Sequence, residues 1–396
     1  MKKTLLGTTA LVSAGLLAGP ALASDPLTVT VSGSVVTGFY FVDNDSVNVP
    51  ASAAVPATPG NVGVAAVAAS VRDFDDTKVA LVARNIDIVA SGTLDNGLVA
   101  GAALKIQLGD DEGGTAADDA TFSEAYAFLE GGFGRVELGA TDGAAFKMHY
   151  TSPWFVPGNG VDSPNIYNIQ NVASSISSRT STFSLLAEDD NKISYFTPRL
   201  AGFQLGASFT PDTANDPVAN GFGVSASNSS TEDVTEIALN YAGEFGSVSV
   251  GVDAFYVTGE AAAVGADDPE ERGIGASLGF GGFTLGGAYT QVENVVAGTQ
   301  STVTAGSNGN ETDSWTVGLA YGSGPWTVGA AYFQSEAESG AGADIGSNEF
   351  IQVGGGYSLG AGVDVGLDIQ LIEDQAGAGA VAVDSTSAGV VLAISF

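Results

Sequence analysis

Residues 315–333 read WTVGLAYGSGPWTVGAAYF, and large apolar side chains fall at every second position of it. Trp315, Val317, Leu319 and Tyr321 share one parity. Trp326, Val328, Ala330 and Tyr332 share the matching parity of the next segment, across a Gly-Ser-Gly-Pro turn at 322–325. Side chains alternate across a β-strand, so the stretch is a hairpin with one apolar face.

The same period runs outward from it in both directions. Val248, Val250, Val252, Ala254 and Tyr256 alternate with Ser249, Gly251, Asp253 and Phe255. Val363, Val365, Leu367, Ile369 and Leu371 alternate with Asp364, Gly366, Asp368 and Gln370. Leu98, Ala100, Ala102, Leu104 and Ile106 do so with Val99, Gly101, Ala103, Lys105 and Gln107, and the last stripe runs from Ala388 to Phe396. In all, the pattern predicts sixteen strands, near 28–41, 78–91, 97–109, 120–130, 134–140, 190–198, 202–211, 232–242, 247–258, 271–280, 283–292, 312–322, 326–336, 347–359, 362–373 and 386–396. Short Gly-rich turns alternate with long loops, near 42–77, 110–119, 141–189, 212–231, 259–270, 293–311, 337–346 and 374–385. That alternation marks a meander closed into a 16-stranded antiparallel transmembrane β-barrel, with both termini on the short-turn, periplasmic side. A soluble sandwich, propeller or β-helix fits less well, because Trp315, Tyr321, Trp326, Tyr332 and Tyr357 sit at stripe ends, where a barrel places its interfacial girdles.

Composition narrows the function classes. Lys2 and Lys3, an apolar run from Leu5 to Leu17, Pro20 and Ala21-Leu22-Ala23 read as a secretory signal peptide over 1–23, leaving 24–396 as the barrel. No later run is long and apolar enough for a spanning helix. The absence of cysteine excludes disulfides and thiolate chemistry. Without Lys2 and Lys3 the chain has 10 basic residues against 45 acidic ones, so nucleic acid is not a partner.

Residues 192–212, KISYFTPRLAGFQLGASFTPD, closely resemble a strand-turn-strand of general porins from Gram-negative bacteria, the alphaproteobacterial type especially. Residues 124–143, EAYAFLEGGFGRVELGATDG, resemble their fourth and fifth strands leading into the third loop. With Leu94-Asp95-Asn96-Gly97-Leu98 and the terminal Phe396, the resemblance spans the mature chain. It implies a homotrimer in the outer membrane whose third loop folds into the lumen and sets the pore size. It also implies that the terminal aromatic is an address for the barrel-assembly machinery.

A barrel this wide cannot be filled by side chains and leaves an aqueous channel. The segment 141–189 is far longer than a hairpin loop and carries Pro153, Trp154, Phe155, Pro157, Pro164 and Tyr167, so it is assigned as the inward-folded constriction loop. Strand parity turns Lys105 and Arg135 inward, with Lys78 and Arg84 as companions. These form an early basic wall, and Lys147 is placed with them at the pore constriction. Asp142 and Asp162 in the loop are expected to face it and set up a transverse field that favours hydrated polar solutes. Glu124, Glu137, Asp253, Asp364 and Asp368 are also inward, so acids outnumber bases in the lumen and a cation preference follows.

His149 is the single imidazole and reads as a loop or pore-lining residue, since a triad or metal role needs partners that the sequence does not display. No cofactor is expected. Acidic clusters at Asp73/Asp75/Asp76, Asp110/Asp111/Glu112, Glu188/Asp189/Asp190 and Asp267/Asp268/Glu270/Glu271 offer oxygen ligands suited to calcium, or to divalent bridging with lipopolysaccharide. Outward, Ala100, Ala102, Ala125 and Ala127 make a small-residue sector suited to subunit contact, while Tyr289, Trp315, Tyr321, Trp326 and Tyr332 suit lipid. The reading is a passive diffusion pore that performs no chemistry. Its rivals are a substrate-specific channel of the same fold, a barrel hydrolase built near His149, and a soluble adhesin.

Overall fold

In the segment Phe203–Asp212 the exposed residues alternate with buried ones, and the exposed ones are apolar: Phe203 (51%), Leu205 and Phe209, with half-buried Ala207 between the last two, alternate with buried Gln204, Ser208 and Thr210. This inverts the pattern of a water-soluble protein, whose sheets bury the apolar face. The computed structural model describes residues 27–44, 47–49, 70–72, 76–107, 121–162, 177–213, 231–299, 301–380 and 382–396. Within them the inversion extends from strand to strand.

Sixteen strands close into one antiparallel barrel: β1 (Thr28–Asn44), β4 (Asp76–Thr93), β5 (Val99–Gln107), β6 (Thr121–Gly131), β7 (Gly134–Ala140), β8 (Asn191–Phe196), β9 (Phe203–Asp212), β10 (Thr231–Phe245), β11 (Val248–Ala261), β12 (Glu270–Phe280), β13 (Phe283–Glu293), β14 (Glu311–Ser323), β15 (Trp326–Glu338), β16 (Asp344–Gly360), β17 (Val363–Gln375) and β18 (Val383–Ser395). Each matches a predicted strand. The segment between β1 and β4, read from the sequence as a plain loop, adds a small two-stranded sheet of β2 (Val47–Val49) and β3 (Ser70–Arg72). Three residues are too few for alternation to show.

Closure is made between β1 and β18, where Gly33 and Phe396 exchange backbone hydrogen bonds of 2.9 and 3.0 Å. The Phe396 ring lies against Gly33, where an added Cβ would come within 2.8 Å of it. Short turns close the other hairpins at this rim. Gly281 and Gly282 take φ of +57° and +89°, the doubly left-handed pair that a two-residue hairpin turn demands.

Aromatic rings form two outer belts. Near the short turns lie Phe203 with Tyr241, Phe283 with Tyr321, and Trp326 with Tyr357, at centroid separations of 4.4 to 4.9 Å. Tyr289, Trp315 and Tyr332 sit six residues further along their strands, roughly 20 Å at the usual strand rise. Apolar outward side chains such as Val317, Leu319 and Val328 fill the band between, the dimension and chemistry of a lipid-facing girdle. No helix among the described residues is long and apolar enough to cross a membrane.

Candidate functional site

Glycine is frequent on the inward parity of β9 and β11 to β17, and a polypeptide lies where its side chains would be. The connection from β7 to β8 begins with a short helix, α1 (Ala144–Lys147). Ala144 donates its backbone N–H to the Ser208 hydroxyl (2.8 Å), and Ala145 donates to the Glu236 carboxylate (2.9 Å). The chain then follows the inner wall. Tyr150 lies on Gly251 and Gly275, Thr151 on Gly286, Pro153 on Gly318, Phe155 on Gly329, and Pro157 on Gly356 and Gly366. A Cβ at Gly275 would sit 2.0 Å from the Tyr150 carbonyl oxygen, and one at Gly329 would sit 2.4 Å from the Phe155 ring. The glycines are therefore the seat of the loop, because only a residue without a side chain lets a second backbone approach this closely.

Polar contacts fasten both legs. Asn159 reaches across to Asp368 on β17 (2.9 Å), which also accepts from Tyr40, Gln352 and Gln370. On the return, Ser177 donates to Asp374 through its backbone and its hydroxyl (2.8 and 2.7 Å). Arg179 forms a buried ion pair with Glu271 on β12 (2.9 Å), and Ser184 donates to the same carboxylate. Lys192 closes the base. The carbonyls of Thr141, Ala187, Glu188 and Asp190 all lie within hydrogen-bond distance of its ammonium, whose three N–H groups grip both ends of the loop at once.

Several charges expected at a constriction do sit on the inner face. Lys78 lies opposite Tyr40, and Lys105 pairs with Glu124 at 2.9 Å and remains partly exposed. Asp253, Asp364 and Asp368 also point inward, each opposite or beside buried residues of the inner face. Arg135 and Lys147 both bind Glu137, at 2.6 and 2.5 Å, and Arg135 is only 1% exposed, over the Phe128 ring. This trio braces the loop base rather than presenting open charge. Glu137→Gln leaves two cations without their shared anion, so a loss of ~3–5 kcal/mol in urea unfolding from vesicles is the expected result.

Three expectations need correction. Arg84 faces outward, opposite Val35: the β1/β4 register shifts at Val36/Thr37, adding one residue to β4 and exchanging its faces beyond that point. Lys78 and Arg84 share a parity in the sequence, yet only Lys78 keeps the inward one. Asp162 faces no basic wall. It is fully buried inside the loop, accepting from Thr151, the Ser181 hydroxyl (2.9 Å), and both the backbone N–H (2.8 Å) and hydroxyl of Thr182, so it ties the two legs together. His149 lies in the loop, one of the two places expected for it, but lines no pore, and the fold supplies the partners that the sequence concealed. Its Nδ1 lies 2.8 Å from Asp253 and its Nε2 3.3 Å from the Thr182 hydroxyl, between the rings of Phe183 and Phe255. This is an acid, imidazole and hydroxyl in line. The hydroxyl already gives its proton to Asp162, however, and the ring is sealed from solvent, so the chain acts as a clamp and not as an activated nucleophile.

Arg179, Lys192 and Glu236 were not singled out from the sequence, and Glu271 was read only as a member of an acidic loop cluster. Lys192 and Glu236 were legible as inward by parity, since Ile193 and Ile237 beside them are exposed. Arg179 lies in a loop without periodicity. The acidic grouping was also missed. Carboxylate oxygens of Glu124, Asp142 and Asp189 lie within 4.8 Å of one another, drawn from β6 and both ends of the loop. Of the four acidic clusters read in the sequence, only Asp189 contributes to it. The Asp73 and Asp110 clusters fall outside the described residues, apart from Asp76 in β4. Glu271 is occupied by Arg179, and Asp268 accepts from the Ala261 backbone.

A closed barrel with an apolar exterior, aromatic belts and a polar loop against its inner wall defines an outer-membrane channel. The chain belongs to the Gram-negative porin family, whose model matches residues 7–377. Solved structures share the fold at low identity. OmpT of Vibrio cholerae in its trimer form is 15% identical with a TM-score of 0.58, over 94% of this chain and 100% of that one. An anion-selective porin from Comamonas acidovorans is 16% identical with a TM-score of 0.56, over 93% and 100%. Among curated proteins, one from Rickettsia bellii is 30% identical over 117 residues, 24% of this chain and 26% of its own length. The match thus spans about a quarter of that relative.

Proposed function

We propose that this chain forms a water-filled pore for passive diffusion of small hydrophilic solutes and ions, with a preference for cations. The loop lies along β9 to β18 and meets β1 at Val36, and the inner wall near β4 to β6 keeps its charged side chains partly open. Transport follows the passage between them. The observation that carries the charge preference is the Glu124, Asp142 and Asp189 grouping, which puts more carboxylate than Lys105 offsets at the base of the loop. Fixed charges at a narrow, low-dielectric site raise the local concentration of the opposite ion. Reversal potentials in a salt gradient across planar bilayers test this, and an anion preference would overturn it. The fold does not decide the sign, since an anion-selective porin shares it.

The preference should depend on pH. Burial, with the Asp142 and Glu124 carboxylates next to it, pushes Asp189 up to about 8. A raised acid is neutral below that value and gains its charge above it. Cation preference is therefore expected to strengthen as pH rises through about 8, and Asp189→Asn should flatten the step.

We further infer a homotrimer in the outer membrane, with β4 to β6 turned towards the subunit axis. Ala90 pairs with Ala102, and Ala102 with Ala127, in a patch of small outward side chains that suits close protein contact. The aromatic belts of β13 to β16 then face lipid and lipopolysaccharide. Light scattering that finds a monomer in mild detergent would contradict this arrangement. The exposed terminal Phe396 fits the address read by the barrel-assembly machinery.

A further inference from the structure

The inner surface holds a cavity of about 220 Å³ between the loop turn at 154–158 and the short-turn ends of β15 to β18 and β1. It is smaller than the ~300–1,000 Å³ usual for drug-sized ligands, so it suits a small solute. Two of its walls are unusual for this chain. Trp154 leaves 42% of its surface exposed, although it belongs to a loop whose next residues, Phe155 and Val156, are buried against the barrel. Asp364 points inward opposite buried Ala393 and has neither a hydrogen bond nor an ion pair with any described residue. Pro157 and Pro325 supply apolar surface, Ser358 and Ser395 add hydroxyls, and no basic residue among those described lines the space.

We propose that this cavity is a subsite for small organic cations that join an ammonium group to an apolar or aromatic body. It rests on the reading of the lumen as a solute passage and adds a solute class to it. The carboxylate of Asp364 has no cation of its own among the described residues, and an ammonium supplies one. The electron-rich face of the Trp154 indole attracts the same charge and covers the apolar body, a recurring way for proteins to recognise organic ammonium groups. A neutral sugar could stack on the indole but would leave the charge uncompensated. Asp364 sits next to the short turn at 361–362, so the cavity opens to the periplasmic vestibule and holds solute on the far side of the loop.

The test adds 2-phenylethylammonium to single channels in planar bilayers, with the uncharged 2-phenylethanol as its neutral counterpart. The expected result is transient blockade by the amine, strongest from the short-turn side, and little effect of the alcohol. Asp364→Asn should weaken the amine roughly tenfold or more, as expected for a hydrogen bond to a charged group. Asp364→Glu should retain binding, and Trp154→Leu should weaken it by roughly two- to fivefold. Heat-modifiable gel mobility verifies that each variant is folded. Equal blockade by the alcohol, or full blockade in Asp364→Asn, would overturn the proposal. A channel that conducts but is never blocked would overturn it too. If the chain conducts nothing, the pore reading falls instead, and calorimetric titration of the detergent-solubilised protein with the same amine still decides this site.

Discussion

Arg179→Ala is expected to release the returning leg of the loop, with a loss as large as that expected for Glu137→Gln at the loop base. The guanidinium and Glu271 are 2% and 0% exposed, 2.9 Å apart. Arg179 also donates to the carbonyls of Ser181 and Phe183, so it shapes the leg as well as fastening it. Removing it strands a carboxylate in a site closed to water, which typically costs ~3–5 kcal/mol. The barrel strands need not unfold, because their ladders are independent of the loop. The loop is the part that moves. Single-channel records should therefore show enlarged, fluctuating conductance, and proteolysis of the intact barrel should cut within residues 177–189. A quiet channel of unchanged conductance would refute this account. A second change at the partner, Glu271→Leu, should restore much of the loss, since a buried pair replaced by apolar groups is often close to neutral.

The second large effect is expected at the glycine seat and has the opposite sign. Gly275→Val adds atoms where the Tyr150 carbonyl already lies within 2.0 Å of a would-be Cβ. Gly275 has ordinary extended backbone, so the strand tolerates valine and the loop must yield. Overpacking of this kind costs ~1–3 kcal/mol. The loop is pressed off the wall towards the channel axis, and conductance should fall. Gly132→Val, where nothing lies within 4 Å of the added Cβ, should leave conductance as it was. A rise in Gly275→Val would show that the loop detaches rather than narrows the passage.

The two predictions differ because the loop is held by shape on one leg and by charge on the other. The outgoing leg, from Ala144 to Asn159, lies on glycines, with hydrogen bonds at intervals. The returning leg, from Ser177 to Asp190, depends on Asp374, Glu271, Thr290 and Lys192. Asp162 and His149 join the two legs, so disturbance of either one propagates to the other.

How much of this was legible follows from what period two can encode. Each strand of the barrel could be read because one face meets lipid and the other does not, and that contrast is written at alternate positions. The same parity correctly turned Lys105, Glu124, Glu137, Asp253 and Asp368 inward. It failed at Arg84, where one extra residue in β4 reverses the faces without any mark in the local sequence. It was silent on the loop. The glycines at 275, 286, 318 and 329 were visible as gaps on the inward parity, but what fills a gap is not local information.

By itself, then, the sequence determined the barrel: its strand number, its inside and outside, its short and long rims, and the membrane it suits. These are set by the contact each residue makes with its solvent, lipid or water, and depend on nothing distant in the chain. The tertiary structure alone decided the state of the charges. Asp162 is an internal brace, His149 is a sealed link between Asp253 and Thr182, and Asp189 meets Glu124 across 65 positions of chain. Ion pairing and hydrogen bonding are decided at about 3 Å, and separation along the chain says nothing about which groups a folded loop brings within that distance.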